Sequence, residues 1–164
     1  MDTSNNPYAP PTAEVSDLKT LEVSPPLWNP NAAASWSLLF SPVFGAVLHM
    51  LNWQAMGQPE KAATSKKWAI GTAVFLLIIP IMIVMLPDSR GADAVSRIVG
   101  FGLLIAWYYS IGKSQNATVL ARYGSGYERK GWAKPLLLAV AVLIGYMLVA
   151  GLVGFLAAML LGRA

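Results

Sequence analysis

The residues of this sequence with the most chemical capacity stand in one row. Ser37, Ser41, Gly45 and His49 follow at steps of four, and Asn52 comes three further on. Such steps fall on one face of a helix. The surrounding stretch is apolar, and in hydrocarbon polar groups avoid lipid and seek partners. The row could therefore line a path for a solute or a proton, with His49 titrating near neutrality. It could equally bond one helix to another. Pro42 weighs toward the second use, because a break there rotates His49 away from Ser37. Hydrolysis by a Ser41–His49 dyad would need an orienting acid and oxyanion donors, and the stretch supplies neither. His49 is the only histidine and there is no cysteine, so a metal site of the usual three or four ligands is not expected. Gly124-Ser125-Gly126 lacks the spacing of a nucleophile elbow. With no phosphate loop or dinucleotide fingerprint either, the expectation is no catalytic residue, no cofactor and no metal.

The elements that must position this row are membrane helices. Of 164 residues, 55% are hydrophobic and 12% charged, against about 25% charged in soluble domains. The shortfall comes from long uncharged stretches that a water-facing surface would not tolerate. The first apolar segment covers about 32–56, with Asn31 as its cap. Pro42 leaves two readings: one kinked span, or two half-helices that enter and leave on one face. The second, 68–87, has no charge over twenty residues, enough for about 30 Å of hydrocarbon; Pro80 is expected to kink it. The third, 93–112, ends in Trp107, Tyr108 and Tyr109, which read as an interfacial aromatic belt. The fourth, 135–162, opens on Pro135, where a missing amide costs nothing. Residues 1–31, rich in proline, read as a disordered tail without a cleavable signal peptide.

Lys and Arg mark the cytoplasmic side. With four spans, Lys61, Lys66, Lys67, Lys113, Arg122, Arg129, Lys130 and Lys134 share one side, and Lys19, Arg90, Arg97 and Arg163 the other. If the first segment only dips in, Lys19 joins the larger group. Nine against three favours this arrangement slightly over eight against four. Both put the C-terminus in the periplasm. The fold expected is an all-α integral membrane protein of three transmembrane helices plus an N-terminal re-entrant or kinked element, the alternative being four transmembrane helices.

Two further patterns concern partners. Ala150, Gly154, Ala158 and Gly162 recur at steps of four, a ridge of small residues that lets helix backbones approach closely. Arg122, Arg129, Lys130 and Lys134 lie among Tyr123, Tyr127 and Trp132, and suit orientation and contact with anionic head groups. No aromatic-basic signature of nucleic-acid binding is present. No Asp or Glu lies inside the uncharged stretches 68–87, 98–112 and 135–162, which counts against ion-coupled transport.

The run Asn6-Pro7-Tyr8-Ala9-Pro10-Pro11 resembles the opening of small bacterial inner-membrane proteins of uncharacterised function. The stretch Trp28 to Gly57, with Trp36, Phe40, Pro42, Phe44, Gly45 and Trp53, is similar to an element of such proteins in which two half-helices around a Pro/Gly break precede true spans. The resemblance implies a multi-pass protein of the bacterial inner membrane with a cytoplasmic tail, and assigns no activity. Packing ridges without chemical machinery suggest a non-enzymatic interaction protein: an accessory subunit or an immunity-type protein bound to another membrane protein or to a second copy. The alternative is a small oligomeric channel or transporter lined by the polar row.

Overall fold

The computed structural model describes residues 22–85, 89–160 and 162. The first helix, α1 (Pro30–Phe40), starts where Pro30 presets the backbone and the Asn29 side chain accepts from the amides of Asn31 and Ala32. The cap is thus Asn29, two residues before the expected Asn31, because proline at the first position fixes the phase. Pro42 then ends α1 and begins α2 (Pro42–Ala55). Between them Ser41 adopts φ 93° and ψ 161°, a region that glycine alone enters cheaply.

That single residue reverses the chain. Trp28 bonds Asn52, Pro30 bonds His49, and Ser37 lies where a side chain on Gly45 would fall. Pairs that converge in this way define an antiparallel helical hairpin, so the first segment is two half-helices and not one kinked rod. The arms hold 11 and 14 residues, roughly 16 and 21 Å at 1.5 Å per residue. Neither reaches the roughly 30 Å of a hydrocarbon core.

Among the described residues, three helices are long and apolar enough to cross a membrane. The helix α3 (Pro59–Met85) follows a turn at Gly57, whose φ of 68° suits glycine. It begins nine residues ahead of the expected span, its first turns carrying Lys61, Lys66 and Lys67. Pro80 lies within it without ending it. The next helix is α4 (Ser89–Trp107), which continues through a π-helical turn (Tyr108–Gly112) into α5 (Lys113–Tyr123). The third span was expected to stop near Gly112; the helix instead runs on because polar α5 has the hairpin to pack against. Then α6 (Ala133–Leu160) starts with Pro135 in its first turn, as anticipated. The protein is an all-α membrane protein; among the described residues an isolated bridge between Leu27 and Arg129 is the sole extended pairing.

One end of the molecule gathers the hairpin base, the lysine-bearing turns of α3, α5 and the start of α6. Leu27, Trp53, Met56, Ala62, Val119, Tyr123 and Tyr127 form its core. A second layer, of Ala46, Ala69 and Trp107, lies toward the hairpin tip. Within the expected tail, residues 1–21 lie outside the described residues, but 22–29 are not free. Leu27 is fully buried, and its amide donates to the Glu128 carbonyl at 3.0 Å while its own carbonyl accepts from the Lys130 amide at 2.8 Å.

Candidate functional site

The end of the polar row forms a clamp at the hairpin base with Gln115. Asn52 accepts from the Trp28 amide at 3.0 Å and donates through Nδ2 to the Trp28 carbonyl at 2.8 Å and to Gln115 Oε1 at 3.1 Å. Gln115 Nε2 donates to the His49 carbonyl at 2.8 Å. Two buried amides thereby hold the chain before α1, the last turns of α2 and the face of α5 together. Gln115 escaped sequence reasoning, because a lone glutamine in a polar stretch gives no signal until its partners are placed.

His49 is fully buried, and its Nε2 lies 3.1 Å from the Pro30 carbonyl. A carbonyl only accepts, so Nε2 carries the proton and Nδ1 is left an acceptor. Its ring meets Trp107 at 5.2 Å between centroids. Nδ1 of His49, Nε1 of Trp107 and Oγ of Ser65 are buried without a hydrogen-bond partner in the protein. Trp107 was expected in an interfacial belt; it is instead fully buried, while Tyr109 is exposed. The π turn offsets the helix by an extra residue just there, and Gly45 admits the indole, since a β-carbon on Gly45 would strike both Trp107 and Ser37 Oγ. Ser37 spends its hydroxyl on the Ala33 carbonyl at 2.9 Å.

The row therefore divides. Ser37, Gly45, His49 and Asn52 serve contacts inside the protein, and Ser41 faces outward onto a groove. This groove runs between the hairpin, α3 and α6, with a volume of about 890 Å³. Phe44 and Leu48 form one wall, Leu76 the floor, and Leu138, Val142 and Val149 the other wall. Trp28 and Lys134 stand at one end. Tyr146 also lines it, but donates its hydroxyl to the Leu76 carbonyl at 3.0 Å, tying α6 to α3.

The four basic residues of the 122–134 segment have unequal surroundings. Arg122 pairs with Glu22 at 2.8 Å and covers Tyr123. Arg129 covers Tyr127, whose phenol burial pushes up against the opposing pull of that arginine. Lys130 Nζ sits 4.4 Å above the Trp28 ring. Among the described residues, Lys134 has neither a carboxylate nor an aromatic face in contact, and it is exposed.

The small-residue ridge lies on α6, none of whose residues is buried. Ala150 borders the groove. Gly154 has open space where a side chain would project, because steps of four drift by about 40° each on a helix of 3.6 residues per turn. Ala158 is half-buried, and Gly162 has φ 63° just past the helix. Among the described residues, no group of three or more His, Asp or Glu could hold a metal ion. Comparison with protein-family models, with curated proteins and with solved structures finds no match to this chain.

Proposed function

We propose that this chain is a non-enzymatic interaction protein of the bacterial inner membrane, an accessory subunit or immunity-type protein that packs against a partner membrane protein or a second copy. The observation that carries the reading is α6. Its 28 residues include none buried within the protomer, and its ridge leaves Gly154 open to close approach by another backbone. The polar residues that a channel would use support the same reading, since Ser37 is bonded within its own helix and His49 and Asn52 are engaged in holding the hairpin.

Orientation follows from charge. The lysine-rich end carries Lys61, Lys66, Lys67, Lys130 and Lys134 and faces the cytoplasm. The chain from Glu22 onward enters at that end, the hairpin dips in and returns, and Leu160 lies toward the periplasm.

The chain has no native cysteine, so single cysteines report both claims. Gly154→Cys should cross-link in native membranes, to a second copy or to a partner, and Gly154→Leu should abolish co-purification of whatever was linked. Failure to cross-link, with Gly154→Leu behaving as the parent, would sink the interaction reading. In intact cells Val23→Cys should be protected from an impermeant maleimide, and Gly162→Cys should label. Labelling at position 23 would reverse the orientation.

A further inference from the structure

The groove beside α6 is apolar along its length and charged at one place. Phe44, Leu48, Leu76, Leu138 and Val142 offer nothing to a hydrogen-bonding ligand. The Tyr146 hydroxyl is already given to Leu76, which leaves Ser41 at the hairpin tip as a lesser polar group. Positive charge is confined to the basic edge. Lys134 lines the groove there, and Trp28 beside it carries Lys130 over its ring. Arg122 and Arg129 are occupied by Glu22, Tyr123 and Tyr127, whereas Lys134 is exposed and has no such contact among the described residues.

A matching occupant has a long apolar body and an anion at one end. We propose that the groove seats one anionic phospholipid, its phosphate on Lys134 at the basic edge and an acyl tail laid between the hairpin and α6. The level of the charge agrees with this occupant, because Lys134 precedes Pro135 at the start of α6, at the edge where head groups lie. The cavity holds about 890 Å³, within the usual range of roughly 300–1,000 Å³ for small-molecule sites. The proposal is independent of the interaction reading, which rests on Gly154 beyond the groove.

Gly145 gives the test its leverage. It lines the groove, and a β-carbon there meets nothing within 4 Å. Gly145→Leu therefore projects into the groove, and a thermal melt checks that the protomer stays folded. The full chain, purified in mild detergent and supplied with dioleoyl phosphatidylglycerol or dioleoyl phosphatidylcholine, would be examined by native mass spectrometry. The parent should retain one phosphatidylglycerol in preference to phosphatidylcholine. Lys134→Gln should weaken retention of phosphatidylglycerol by roughly fivefold, the weight of one basic residue at a lipid surface, and leave phosphatidylcholine unchanged. Gly145→Leu, still folded, should retain neither. Equal binding of the two lipids by the parent, no retained lipid, or full retention by Gly145→Leu would each overturn the proposal. So would a co-purifying protein displaced by Gly145→Leu while lipid binding is unaffected, since that result assigns the groove to a partner helix.

Discussion

The two ends of this molecule are built on different rules. At the basic end, helices meet through buried amides: Asn52 and Gln115 join three separate parts of the chain, and Leu27, Trp53 and Val119 pack with almost no exposure. Along α6 no residue is buried, and the described link to α3 is the Tyr146 hydroxyl on a backbone carbonyl. In water an unburied apolar helix would be untenable; in a bilayer it costs nothing, because lipid tails are as apolar as leucine. The contrast separates a part that holds its own shape from a part left for lipid or another protein.

Substitutions can break that contrast or sharpen it. The largest effect is expected at Asn52. Asn52→Leu strands the Trp28 amide, the Trp28 carbonyl and Gln115 Oε1, at a cost of about 1–3 kcal/mol for each group left buried without a partner. A tryptophan-fluorescence melt in detergent should fall steeply, and an unchanged melting temperature would mean that the clamp is not holding the end together. Next comes Gly45→Ala, whose new methyl strikes Trp107 and Ser37 and should destabilise by about 1–3 kcal/mol. Ser41→Gly should act in the opposite direction. It relieves a backbone conformation that costs a non-glycine residue about 1–3 kcal/mol, so the melt should rise. The smallest effect belongs to α6. Gly154→Ala meets open space and should stabilise by less than about 1 kcal/mol through helix propensity. One substitution type, glycine to alanine, thus carries opposite signs inside the packed hairpin and on α6, and equal signs would erase the distinction.

Much of the fold was legible beforehand, because uncharged runs of bilayer length admit few structures. The apolar stretches from Trp68 and from Pro135 lie in the helices where they were expected, and the break at Pro42 was visible as a break. Its direction was not. Whether a proline kinks a rod or folds a hairpin depends on Ser41 accepting a positive φ, which the Asn52–Trp28 bonds enforce from across the hairpin. The polar row was found, and helix bonding was weighed for it, but its partners were out of sight. Gln115 lies 63 residues from Asn52, and no local pattern announces such a pair. Trp107 misled for a related reason: aromatic residues at a span's end suit an interface, and only the space beside Gly45 turns this one inward.

The latch that seats residues 22–29 also sets an order of assembly. Glu22 meets Arg122 and Trp28 meets Gly131, contacts separated by 100 and 103 positions along the chain. During synthesis the hairpin reaches the membrane long before either contact exists. Its base stays unlatched while α3 and α4 are made, and closes only when the segment after α5 emerges from the ribosome. A chain truncated between α4 and α5 would present an open hairpin, with Asn52 lacking Gln115 and Leu27 lacking its cover, the kind of exposed intermediate that membrane quality-control proteases recognise. The early residues are thus finished by later ones, so emergence of the segment between α5 and α6 is the step that closes the hairpin base.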